Sequence, residues 1–82
     1  MEKFELQFHG NASKVFQHLP KTVKRRIEEA IEALRLNPFF GKDICKLKGE
    51  LEGLYRLRVG DYRIIYHVDE KHKVITIEAI GT

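Results

Sequence analysis

The chain has 82 residues, 43% hydrophobic and 33% charged, with 15 Lys and Arg against 12 Asp and Glu for a net charge of +3. That length predicts a single domain over 1–82, and the balance is that of a soluble globular protein whose mild basic bias permits a polyanionic partner without demanding one. Cys45 stands alone, so no intramolecular disulfide or cysteine metal site can form, and no run reaches secretory or membrane-spanning length. The expected setting is a reducing cytoplasm with no membrane contact, and Cys45 reads as a small buried filler or an idle thiol.

Phe4, Leu6 and Phe8 alternate with Glu5, Gln7 and His9, which predicts a first strand with one buried face. Gly10-Asn11 breaks it, and Asn11 is placed to cap a short helix whose Ala12, Val15, Phe16 and Leu19 share a side. Pro20 biases Leu19 out of the helical region. A second helix follows from about Lys21 to Leu36, where Val23, Ile27, Ala30, Ile31 and Leu34 recur at steps of three and four until Asn37-Pro38 stops them. So short a link predicts an antiparallel helical hairpin laying its joint apolar side on a sheet. Phe39 to Gly53 has no sustained periodicity and reads as irregular; Phe39 and Phe40 are expected to plug the end of the core, with an exposed contact surface as the alternative.

Residues 54–66, Leu-Tyr-Arg-Leu-Arg-Val-Gly-Asp-Tyr-Arg-Ile-Ile-Tyr, form two alternating runs joined at Gly60-Asp61, a pair suited to a two-residue hairpin turn. With those two in the loop, Arg58 faces Arg63, Leu57 faces Ile64, Arg56 faces Ile65 and Tyr55 faces Tyr66. Tyr55, Leu57, Val59, Tyr62, Ile64 and Tyr66 then share the core side, while Arg56, Arg58, Arg63 and Ile65 share the other. Like charges directly opposed across a strand pair cost roughly 0.2–1 kcal/mol. A chain that keeps them is suited to holding an anion, and phosphate matches the guanidinium forks. After a charged turn at Asp69 to Lys73, Val74 to Ile80 forms a last antiparallel strand, with Ile75, Ile77 and Ala79 expected on the core side and Thr76 and Glu78 on the arginine side. The predicted class is α+β: an N-terminal strand, a helical hairpin, then a three-stranded antiparallel meander with the helices on one face.

The helix pair, Lys46-Leu47-Lys48-Gly49, the hairpin segment and Val74 to Gly81 together resemble the RelE/ParE superfamily of toxin-antitoxin toxins, nearest to its RelE branch. The resemblance implies a type II toxin that inhibits translation by ribosome-dependent cleavage of messenger RNA, using no cofactor. It also implies a cognate antitoxin that neutralises the toxin, with operator DNA reached only through the antitoxin complex. Arg56 and Arg58 fall where the RelE branch has a basic pair before the turn, and Arg63 on its arginine in the following strand. The family continues after the last strand with an arginine and a tyrosine, whereas Gly81 and Thr82 stand here, which implies lowered activity.

Cleavage without a metal needs the 2′-hydroxyl deprotonated, charge on phosphorus stabilised and the 5′-oxygen protonated. Arg56, Arg58 and Arg63 suit the middle task. For proton transfer His67 and Glu78 are the candidates, His67 because histidine titrates near 6.5 and Glu78 because it is expected on the arginine side, where it is equally suited to neutralising them by pairing. Lys21, Lys24, Arg25 and Arg26, followed by Glu28 and Glu29, read as an exposed helix face with local ion pairs; their functional reading is contact with RNA phosphates, extended by Lys46 and Lys48. Two other functions stay open: a non-enzymatic ParE-like inhibitor of DNA gyrase, and a non-toxic relative that only binds antitoxin.

Overall fold

The computed structural model describes residues 3–82 and contains eight short elements. They are β1 (Glu5–Phe8), α1 (Gly10–Gln17), α2 (Lys21–Leu34), β2 (Ile44–Lys46), a 3₁₀ turn (Gly49–Leu51), β3 (Leu54–Val59), β4 (Tyr62–Asp69) and β5 (Val74–Gly81). The strands form one sheet in the order β1-β5-β4-β3-β2, with β1 parallel to β5 and every other pair antiparallel. The meander over β3, β4 and β5 is as the alternation predicted. The sheet is wider than expected by one strand, because Ile44–Lys46, read as irregular, pairs with β3. Three residues are too few to display a period, so only the partner reveals this strand.

Both helices lie on one face, α1 over β1 and β5 and α2 over β3. Ile27, Ile31 and Leu34 are the buried residues of α2, at steps of four and three. They meet Leu57, Ile64 and Tyr66 from the hairpin and Ile75 and Ile77 from β5. α1 starts one residue before the proposed cap: His9, in extended backbone, precedes Gly10, no side chain caps the end, and Asn11 lies inside the first turn. α2 ends at Leu34, and the next turn tightens as the Leu36 and Asn37 amides donate to the Ala33 carbonyl. Arg35 then ties this end to the first strand, since its carbonyl accepts from the Phe4 amide at 2.9 Å and its Nε donates to the Phe4 carbonyl at 2.8 Å.

Between α2 and β2 the two adjacent phenylalanines part. Asn37 Oδ1 accepts hydrogen bonds from the amides of both Phe39 and Phe40, an Asx turn that reverses the chain. Phe39 goes inward, edge-on to Phe4 at 6.2 Å and to Tyr55 at 5.8 Å, and Tyr55 stacks on Tyr66 at 5.5 Å. Phe40 remains 79% exposed, so the expected double plug is a single one. Cys45 is likewise exposed, since β2 is an edge strand with no layer above it.

A backbone bond from the Arg58 amide to the Asp43 carbonyl at 3.0 Å ties this loop to the sheet, and one side-chain bond fastens it from below. The Tyr66 hydroxyl, fully buried, donates to the Pro38 carbonyl at 2.7 Å. Burial raises the Tyr66 pKa above the ordinary tyrosine value, and the neighbouring Tyr55 adds to the shift. Because the folded pKa is raised, this contribution to stability is complete below the unfolded value near 10 and is lost as pH climbs above it. Tyr66→Phe leaves the Pro38 carbonyl without its partner and is expected to cost about 1–3 kcal/mol in chemical denaturation, with the loss of stability above pH ~10 correspondingly blunted.

Candidate active site

The β3–β4 register is the one deduced from alternation: Arg58 pairs with Arg63, Leu57 with Ile64, Arg56 with Ile65, Tyr55 with Tyr66 and Leu54 with His67. The turn is made by Gly60, whose φ of +60° is open to glycine at little cost, followed by Asp61. Leu57, Ile64 and Tyr66 are buried under the helices, and the period of two sends Arg56, Arg58, Arg63, Ile65 and His67 to the opposite, uncovered face. Burial of one side thereby sets the position of the charges on the other.

Three cross-sheet rows can be traced on that face. The row nearest the hairpin tip runs Arg58, Arg63, Gly81; the middle row runs Cys45, Arg56, Ile65, Ala79; the third runs Leu54, His67, Thr76, with Gln7 beyond it on β1. Arg56 is diagonal to Arg63 on one side and to His67 on the other, at about 7–8 Å between backbones. Arg58 and Arg63 are exposed and Arg56 is half-buried. Among the described residues the ion pairs are Lys3–Glu32, Arg35–Glu32 and His72–Asp69, so the three arginines and Glu78 stand without an ionic partner within 4.0 Å. Glu78 does not neutralise the opposed pair.

Glu78 is on this face, as alternation from Ile77 predicted, and the departure begins with the residue after it. The pairing of β4 with β5 slips between Ile65 and Tyr66: Ile65 faces Ala79 while Tyr66 faces Ile77, so two residues of β5 occupy one place. Ile75, Ile77 and Ile80 are buried, whereas Ala79, expected in the core, is exposed. The bulge moves Ala79 out and brings Ile80 in, and it puts Glu78 and Ala79 together on the arginine side, opposite Ile65. No signal in Val-Ile-Thr-Ile-Glu-Ala-Ile marks the slip; only the double apolar spacing from Ile77 to Ile80 is consistent with it.

The second basic set is not gathered onto this face. Lys21 and Arg25 line a shallow hollow with Thr22 and Glu28 at the start of α2. Lys24 lies over the Phe16 ring at 5.2 Å, and its half-buried position is explained by that contact. Arg26 reaches the hairpin tip, where its guanidinium would sit 3.2–3.3 Å from any Cβ added at Gly60. Lys46 is on the β2 edge in register with Tyr55, and Lys48 precedes the 3₁₀ turn; both are exposed. The α2 basic residues and Glu28 and Glu29 therefore form an exposed face, without the local ion pairs expected within it. His72 pairs with Asp69 at 2.9 Å in the β4–β5 turn, and its backbone amide and ring together hold the Asp69 carboxyl below its usual pKa.

A two-helix layer on a mixed five-stranded sheet, with an uncovered arginine cluster at its centre, is the arrangement that the comparison with known proteins assigns to a family of small toxins. The family model for the ParE toxin of type II toxin-antitoxin systems matches residues 4–82, and the chain belongs to that family. Within it, its relatives lie on the RelE side. The chain is 35% identical over 81 residues to the protein named toxin RelE1 in Methanocaldococcus jannaschii, covering 96% of this chain and 89% of the relative. It is 32% identical over 76 residues to toxin RelE of Mycobacterium tuberculosis, covering 90% of this chain and 75% of that protein. The RelE–RelB complex from Pyrococcus horikoshii contains a chain that superposes with a TM-score of 0.83 at 38% identity, over 96% of this chain and 93% of that one.

If the opposed arginines are kept at the expense of the sheet, relieving them should stabilise the fold. Arg63→Glu, which faces Arg58 with an opposite charge, is expected to gain about 0.2–1 kcal/mol in urea denaturation, with the gain shrinking as salt is added.

Proposed function

We propose that the chain is a translation-inhibiting toxin that cuts messenger RNA on the ribosome, with Arg56, Arg58 and Arg63 as the charge-stabilising centre. The observation that carries the proposal is the unpaired arginine cluster: three guanidinium groups in two neighbouring rows of one open face, brought together by the pleat and free of carboxylate partners within 4.0 Å among the described residues. In the cut, the 2′-oxygen attacks the adjacent phosphorus, its proton is taken up, and the 5′-oxygen leaves with a proton, so that a cyclic phosphate and a 5′-hydroxyl result. The anionic phosphorus centre gains charge density at its oxygens between those steps. Preorganised cations at that point are worth about 2.7–4 kcal/mol per donor, or roughly a hundred- to thousandfold in rate.

Arginine does not release its proton in a protein, so the proton transfers fall to other groups. His67, diagonal to Arg56, and Glu78, on the same face of β5, are the side chains suited to them. Lys21, Lys24, Arg25, Arg26, Lys46 and Lys48 lie off the arginine face, and their role is to hold the ribosomal RNA and the messenger through phosphates, which adds affinity that falls steeply with salt. The work is done in the cytoplasm, where the ribosomes are, and no described helix is long and apolar enough to cross a membrane. A cognate antitoxin holds the toxin silent, as the RelB in the Pyrococcus complex is bound to its RelE.

Arg63→Ala is expected to abolish growth inhibition and to lower cleavage of ribosome-bound messenger by at least a hundredfold while leaving thermal stability unchanged or higher. A toxicity that survives Arg63→Ala, together with inhibition of supercoiling by purified protein, would replace this mechanism with action on DNA gyrase. Glu78→Gln and His67→Gln, assayed for cleavage across pH, are expected to alter the profile of the reaction where Lys48→Gln only weakens binding at raised salt.

A further inference from the structure

Ile65 is the side chain at the centre of the arginine face that charge stabilisation and proton transfer leave unused. β4 sends Arg63, Ile65 and His67 to that face, so an apolar residue stands between two polar ones. Ile65 is half-buried, yet it lies outside the hydrophobic cluster under the helices, so its cover comes from neighbours on the open face. All three arginines surround it: Arg56 directly opposite on β3, Arg63 two residues back on its own strand, and Arg58 on the diagonal at about 7–8 Å. A threonine serves a strand as well as an isoleucine does, and Thr76 stands in the adjacent row, so strand propensity does not call for a hydrocarbon here.

The bulge in β5 clears the ground beside it. With Tyr66 facing Ile77, a regular ladder would set Glu78 against Ile65 and Ile80 against Arg63. After the slip, Ala79 stands against Ile65 and Gly81 against Arg63, while Glu78 becomes the extra residue. Two large side chains are thereby exchanged for a methyl group and a hydrogen. A Cβ built on Gly81 meets nothing within 4 Å among the described residues. The outcome is a level apolar floor of Ile65, Ala79 and Gly81, bordered on the β3 side by guanidinium groups.

Single-stranded RNA is held by cations on its phosphates and by side chains against the flat faces of its bases, and apolar side chains serve for the second task. Neighbouring rows on this face are two residues apart, about 7 Å at roughly 3.4 Å per residue. One nucleotide can therefore keep its phosphate at Arg58 and Arg63 and lay its base over Ile65. Phosphate contacts alone leave a ribose free to turn about the strand, whereas cleavage needs its 2′-oxygen in line with the bond that breaks. We propose that Ile65 seats a messenger nucleobase beside the scissile phosphate, on a floor shared with Ala79 and Gly81, and so sets the ribose for in-line attack. Ile65 is then a positioning residue. The inference rests on the nuclease reading and adds to it the group that orients the sugar.

The test is single-turnover cleavage of messenger on programmed ribosomes, with an abasic nucleotide placed in turn at each position around the cut. Because Ile65 is outside the core, Ile65→Ser should fold, which thermal unfolding checks. On intact messenger it is expected to be about five- to a hundredfold slower, with the toxin concentration for half-maximal rate unchanged. Ile65→Val, which keeps a branched apolar surface, should recover most of that loss. An abasic nucleotide at one position beside the cut should slow the unsubstituted chain to a similar degree and slow Ile65→Ser no further, whereas Lys48→Gln should feel the missing base in full. Full-rate cleavage by Ile65→Ser overturns the inference and spares the nuclease reading; if that variant instead binds the product of the adjoining reading frame more weakly, Ile65 belongs to a protein contact. A slowed Ile65→Ser that still feels the missing base in full also overturns it, because the loss is then structural. Absence of cleavage by the unsubstituted chain removes the nuclease reading and this inference with it.

Discussion

The pairing of β3 with β4 is the constraint from which the rest of the molecule follows. Leu57, Ile64 and Tyr66 have to be under the helices, because they close the core between Ile27, Ile31 and Leu34 of α2 and Ile75 and Ile77 of β5. A slip by one residue would turn all of them out to water and the guanidinium groups in, at a cost of several kcal/mol for each buried charge. The hydrophobic side thus protects the chemical side from drift. The opposed Arg58 and Arg63 cost about 0.2–1 kcal/mol, an order of magnitude below the price of losing the register, so the fold tolerates them easily.

Two devices adjust that regular frame where the site needs it. The bulge in β5 spends one residue of pairing to turn Ala79 out beside Glu78 and return Ile80 to the core. The hydrogen bond from Tyr66 to Pro38 holds the loop that carries Phe39 and Phe40 against the same central strand that carries Arg63. The arginine face and the loop bearing Phe39 and Phe40 are in this way referred to one strand, β4, and a distortion of β4 would be felt by both.

The hairpin was legible in full because alternation on both sides of a Gly-Asp turn leaves one pairing with a wholly apolar side, even though Ile65 interrupts the polar one. α2 was legible for the same reason at helical period. Lost to the sequence were features decided by partners: β2, which has no period of its own; the bulge, which shows only against β4; and the split of Phe39 from Phe40, which depends on a side-chain turn at Asn37. The arginine cluster was placed correctly since pleat geometry alone sets it, whereas the α2 and β2-edge basic residues could not be placed relative to it without the packing of the layers. The resemblance to RelE toxins reached further than the residues did by themselves, supplying the antitoxin and the ribosome.

The parallel pairing of β1 with β5 has an effect on timing. β1 has no other neighbour in the sheet, and its residues Glu5 to Phe8 are registered against Val74 to Ile77, about as far apart as the chain permits. During translation the first segment must therefore wait, unpaired, until β5 has been made, and contacts so distant in sequence are slow to close. The sheet is in this way kept from closing until its last strand has emerged from the ribosome that makes it.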